Sequence, residues 1–157
     1  MRVLVAGTVD RLVVLFGSRT DPDSELTWAR GVTLAVDDGT EANLDHPGPV
    51  AVVGASTAGL DALAFAARHV GLVDRVVLVA TPIPDDPGAL PFDLSQATAK
   101  TLLLFGARDP LTGSRHGTWW QRSLPNARLE MSPQGGHDLL VPTWKRTLSH
   151  VAPRCKR

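Results

Sequence analysis

The stretch Val50-Ala51-Val52-Val53-Gly54-Ala55-Ser56-Thr57-Ala58-Gly59-Leu60-Asp61-Ala62-Leu63 decides how this chain is read. Its first residues form an unbroken apolar run, as in a strand covered on both faces, and the run stops at Gly54. After Ser56 the apolar positions switch to helical spacing. A serine therefore stands on a sharp strand-to-helix corner, and its neighbours Gly54, Ala58 and Gly59 are small enough for the turn to be tight. Such a corner lifts a hydroxyl above the sheet and aims the partial positive charge of a helix N-terminus at it. An ordinary βα turn, with Ser56 merely capping the helix, has the same short pattern.

The order of the rest of the chain separates the two readings. The apolar run Thr101 to Phe105 leads directly into Gly106-Ala107-Arg108-Asp109-Pro110, which puts a carboxylate just past a strand end. Ala127 to Met131 reads as a last strand and is followed by Ser132-Pro133-Gln134-Gly135-Gly136-His137-Asp138, which puts an imidazole in the same place. A serine hydroxyl is a weak nucleophile near neutral pH, so a base must take its proton during attack and return it to the leaving group. His137 suits that task. A carboxylate on the far ring nitrogen fixes the productive tautomer, the task given to Asp109. Asp138 is the rival acid, but its place beside His137 in sequence directs it away or toward the cap of the following helix.

On these residues the chain resembles the α/β-hydrolase superfamily. Gly54-Ala55-Ser56-Thr57-Ala58 is similar to the G-x-S-x-G corner of that family, with Ala58 in place of the second glycine, and Ser, Asp, His is the family's order along the chain. The resemblance implies an α/β fold with a mostly parallel twisted sheet flanked by helices, and a candidate catalytic set of Ser56, Asp109 and His137. It implies a serine hydrolase that cleaves a small carboxylic ester or thioester through an acyl-Ser56 intermediate. It also implies an oxyanion hole made by the backbone N–H groups of Thr57 and Ser18, although Phe16 stands where the family often has histidine. Thr81 to Lys100, where many relatives insert a helical lid, is too short to be one and reads as a loop over the site mouth, with Asp85 and Asp86 solvated.

Strands are expected at Arg2–Ala6, Leu12–Phe16, Val32–Val36, Val50–Val53, Arg75–Ala80, Thr101–Phe105 and Ala127–Met131. The first two lie close enough to pair as an antiparallel hairpin at one sheet edge. Helices are expected at Asp23–Arg30, Thr57–His69, Thr112–Leu124 and Thr143–Val151. The second presents Leu60, Leu63, Ala64 and Ala67 as its inner face, and the last presents Trp144, Leu148 and Val151. Asp37 to Pro49 carries several glycines and prolines, so its crossover helix is expected to be missing or reduced to a turn.

With 157 residues and 43% hydrophobic content, the chain suits one α/β-hydrolase-like domain over residues 1–157. Sixteen basic and sixteen acidic residues give no net charge and no basic stripe, which argues against a nucleic-acid partner. No segment approaches transmembrane length and none reads as a signal peptide, so no membrane partner and a cytoplasmic location are expected. The lone Cys155, in the polar stretch Pro153 to Arg157, reads as an exposed bystander. His46, His69, His116 and His150 read as surface or capping residues, and Trp119 and Trp120 as packing. No histidine pair has metal-ligand spacing, so no metal and no cofactor are expected. The expected partner is a small-molecule ester, and a homodimer is compatible with the sequence. The alternatives are a hydrolase-like fold that binds a ligand or partner without turnover, and a dinucleotide-binding turn. The second needs a middle glycine where Ser56 stands and an acid after the next strand, which ends Val79-Ala80-Thr81-Pro82.

Overall fold

In β2 (Leu12–Phe16) every residue is buried, yet Leu12, Val14 and Phe16 belong to one apolar cluster and Val13 and Leu15 to another. Successive side chains of a strand point to opposite faces, so an unbroken apolar run needs cover on both sides. The structure, a computed structural model, describes residues 1–38, 46 and 48–157. With β1 (Arg2–Val5), β3 (Thr33–Val36), β4 (Val50–Ala55), β5 (Val73–Val79), β6 (Lys100–Gly106) and β7 (Ala127–Ser132), β2 forms a seven-stranded sheet in the order β1-β3-β2-β4-β5-β6-β7. Every neighbouring pair is parallel except β1 with β3.

Helices α2 (Gly59–Arg68) and α3 (Gly113–Ser123) cover one face, over a cluster that includes Phe65, Phe105 and Trp120. Helix α4 (Trp144–Val151) covers the other, with Trp144, Leu148 and Val151 all buried as expected. Helix α1 (Ser24–Arg30) lies beside α4, where the Trp144 indole donates to the Thr27 hydroxyl at 2.9 Å. Asp23 caps α1 through a 2.9 Å bond from the Leu26 N–H.

The expected hairpin of the first two strands does not form: β1 pairs with β3, and β2 lies between β3 and β4. Burial explains it. The half-exposed β1 suits an edge, whereas the wholly buried β2 must have a strand on each side. The link between them crosses the start of β3, held there by Thr8 and Val9 N–H bonds to the Gly31 carbonyl at 2.7 and 3.0 Å. The inner face of α2 is also rotated from the expected one, since Gly59, Ala62, Leu63 and Phe65 are its buried residues and Leu60, Ala64 and Ala67 are half-buried. Gly59 and Ala62 must approach Gly54 of β4 closely, and that approach sets the rotation.

Among the described residues, the connection from β5 to β6 contains two short 3-10 turns, Pro87–Ala89 and Leu94–Gln96. It is less a cover for the sheet's upper rim than a crossover. Phe92, Leu94, Ala97 and Ala99 pack on the α2–α3 face, because a chain joining parallel strands must run back to the next strand's start. Asp85 and Asp86 are exposed, and Asp86 caps the first of its turns. Cys155, expected to be exposed, is half-buried against the α4-side cluster. Beyond it, the Arg157 N–H donates to the Ala29 carbonyl, and its guanidinium donates to the Trp28 and Ala6 carbonyls. Most of the expected turn between β3 and β4 falls on residues 39–45 and 47, outside the described residues. No described helix is long and apolar enough to cross a membrane.

Candidate active site

Ser56 follows β4 directly and has a φ of 54°, a left-handed conformation that a non-glycine residue adopts only when its surroundings impose it. Those surroundings are tight. A Cβ on Gly54 would lie 2.5 Å from the Gly59 Cα, and one on Gly59 would lie 2.1 Å from the Thr81 hydroxyl oxygen. Ser56 to Ala58 form a 3-10 turn before α2 begins, so the helix starts two residues later than the spacing suggests. The alanine in place of the second motif glycine has a local answer. Its methyl group faces Gly17, where a second Cβ would come within 2.2 Å of it, so the bare glycine after β2 accommodates the methyl that Ala58 adds.

Asp109 and His137 come from loops that are bonded to each other. Ala107 N–H donates to the Ser132 carbonyl and Arg108 N–H to the Gly135 carbonyl, each at 2.9 Å, while Gly106 packs against the Gly135 and Gly136 backbone. This places the Asp109 Oδ2 2.7 Å from His137 Nδ1, and His137 Nε2 2.8 Å from the Ser56 Oγ. The three residues singled out in the sequence thus form one continuous hydrogen-bonded line. With the carboxylate accepting at Nδ1, the proton sits there and Nε2 is free to accept from the serine.

The Asp109 side chain is fully buried. Burial pushes its carboxyl up, but bonds from the Thr112 hydroxyl, His137 and the Leu111 N–H together outweigh that and hold it below the ordinary carboxylate range. Leu111 N–H reaches Oδ1 at 2.8 Å, and Thr112 shares Oδ2 with His137. Thr112 is a residue that the sequence reading missed beyond its place at a helix start. The available signal was a hydroxyl three residues after the acid. Asp138, the rival, is exposed, and it caps nothing at α4, whose N-cap is Thr143.

His116 was expected to be a surface residue, but it is half-buried and its Nδ1 accepts the Ile83 N–H at 2.8 Å, tying the start of the β5–β6 connection to α3. Burial, then the Arg115 charge, hold His116 below the ordinary imidazole range, against a smaller opposing pull from Asp109. Trp120 is buried and donates to the Thr81 carbonyl at 2.9 Å. Ser18 and Thr57, the expected oxyanion donors, lie next to the two residues that meet in the Gly17–Ala58 contact. The Ser18 hydroxyl donates to the Thr20 carbonyl, which leaves its backbone N–H as the group in question. Among the described residues there is no group of three or more His, Cys, Asp or Glu able to hold a metal ion.

No family model and no curated protein sequence matches this chain. Solved structures do. It is similar to MGS-MChE2, an α/β-hydrolase enzyme from the metagenome of lagoon sediments at Mar Chica, Morocco, with a TM-score of 0.73 at 14% identity, covering 94% of this chain and 90% of that one. It is similar to a serine hydrolase involved in carbazole degradation, the CarC enzyme (TM-score 0.68, 15% identity, 94% and 92% covered). It is also similar to Est1E from Butyrivibrio proteoclasticus (TM-score 0.64, 13% identity, 88% and 84% covered). Such likenesses, over most of both chains in each pair, join the parallel sheet, the positive-φ serine corner and the order of the loops in one conclusion: the fold of this chain is the α/β-hydrolase fold.

Proposed function

We propose that the protein is a serine hydrolase that cleaves a small carboxylic ester or thioester through an acyl-Ser56 intermediate. The observation that carries this reading is the line from Ser56 Oγ through the His137 ring to Asp109, with both bonds under 3 Å. In the reaction, Ser56 Oγ attacks the acyl carbon while His137 Nε2 takes its proton. Asp109 holds the ring and stabilises the imidazolium that forms. The tetrahedral oxyanion is received by the backbone N–H groups of Thr57 and Ser18. Collapse expels the alcohol or thiol, protonated by His137, and water then enters by the same route in reverse to release the acid and restore Ser56. Esterase and serine-hydrolase names among proteins of like fold support the reaction class.

Active-site labelling tests the reading. A fluorophosphonate probe attacks only an activated hydroxyl quickly, so peptide mapping is expected to find the label on Ser56, with Ser56→Ala unlabelled and inactive on a p-nitrophenyl acetate substrate. Label on Ser18 or Ser114 with Ser56 untouched removes the nucleophile, and with it the mechanism.

A further inference from the structure

Thr112 is the N-cap residue of α3, a position where a threonine ordinarily turns its hydroxyl back to a free N–H of its own helix. It makes no such bond. Its hydroxyl instead donates to Oδ2 of Asp109, the same oxygen that accepts from His137 Nδ1, while Oδ1 is held by the Leu111 N–H at 2.8 Å. Thr112 is itself 8% exposed. A fully buried carboxylate with donors on both oxygens has little freedom to rotate, and the Leu111 bond alone leaves Oδ2 to be steered by His137, the ring it is meant to steer.

We infer that Thr112 is a positioning residue: its hydroxyl sets the rotation of the Asp109 carboxylate, and through it the tautomer and tilt of the His137 ring toward Ser56. The helix gives up a side-chain cap to do this. Where the role rests on the reaction proposed above, it concerns kcat and not substrate affinity, because Thr112 acts on the ring that moves the proton.

The test uses Thr112→Val, which keeps the branched shape and removes the hydroxyl, and Thr112→Ser, which keeps the hydroxyl. Thr112→Ala removes the hydroxyl without the second methyl, so a folding defect in the valine variant leaves another to report. The first readout is independent of turnover: the far-downfield proton resonance of His137 Nδ1–H. It is expected in the wild type and Thr112→Ser, and exchange-broadened or lost in Thr112→Val and Thr112→Ala. The second is kinetics on p-nitrophenyl acetate. Losing one hydrogen bond to a buried charged group is expected to lower kcat by roughly ten- to a hundredfold. KM is expected to stay within about twofold and Thr112→Ser to recover most of the rate. An unchanged Nδ1 resonance in the folded valine or alanine variant overturns the positioning role. A wild-type protein that takes no fluorophosphonate label fails the hydrolase reading instead, and the resonance still decides the role of Thr112.

Discussion

Three residues that lie 28 and 81 positions apart in sequence are joined by two hydrogen bonds, and the joint geometry makes their loss non-additive. Ser56→Ala and His137→Ala are each expected to lower kcat/KM for p-nitrophenyl acetate by about three orders of magnitude or more. The double variant should lose little beyond either, because neither residue does its task without the other. Asp109→Asn is expected to be severe and Asp138→Asn nearly neutral, since only Asp109 reaches the ring. The reverse order in steady-state kinetics would transfer the orienting role to Asp138. All three members of this line were legible in the sequence, since each follows an apolar run at a strand's carboxyl end, where chemistry in a parallel sheet collects. Thr112 and His116 were not. Thr112 lies three residues from Asp109, but its spacing is equally that of an ordinary N-cap whose hydroxyl turns back to its own helix, and the partner of His116, the Ile83 N–H, is set by how α3 packs on the sheet.

The strand-to-helix corner holds its shape by close backbone approach, so its glycines should be intolerant of a single added methyl group. Gly54→Ala would set a Cβ 2.5 Å from the Gly59 backbone, where no flexible side chain can yield. Overpacking of this kind costs about 1–3 kcal/mol, which for a domain of this size lowers Tm by roughly 3–10 °C. Gly136→Ala, a substitution into open space at an ordinary φ, should leave Tm within about 1 °C in the same thermal-unfolding series. Equal Tm losses for the two would mean that the crowding at the corner relaxes at no cost. The strands themselves were readable because each buried run is continuous and has a single plausible period. The order of β1 and β2 was not, since pairing is decided by which strand can bear exposure, and Val3, which is 58% exposed, reveals that only once the sheet is assembled. The inner face of α2 was missed for a related reason: the close approach of Gly59 and Ala62 to Gly54 outweighs the apolar stripe that periodicity selects.

At the scale of the whole molecule, pH enters through groups far from Ser56. The His150 ring donates to the Lys100 carbonyl at 2.9 Å, at the start of β6. Burial is the largest cause and, joined by the Arg75 and Arg146 charges, holds it below the ordinary imidazole range, although the bond to the Lys100 carbonyl, the second-largest cause, and a weaker one to the Val76 backbone raise it. A base whose pKa is lower in the folded chain than in the unfolded one is protonated first in the unfolded state. Its share of stability is therefore complete above the unfolded value of about 6.5 and is lost as pH falls from there toward the folded value. Calorimetric scans between about pH 7 and 5 are expected to show Tm falling less steeply for His150→Gln than for the wild type, and parallel slopes would assign that window to other groups. The polar stretch that carries Cys155 has an optical consequence. The Arg157 guanidinium lies 4.3 Å over the indole of Trp28, which is 55% exposed, whereas Trp120 and Trp144 are buried on opposite faces of the sheet. The Trp28 ring is therefore a native fluorophore for the β1 edge alone, shielded by a cation from collisional quenchers of like charge. In a Trp119→Phe background, which removes the half-buried fourth tryptophan, Arg157→Ala should raise the fraction of emission quenched by caesium ions while leaving the blue-shifted emission of the buried pair unchanged, so loosening of one margin of the sheet could be watched without unfolding the rest.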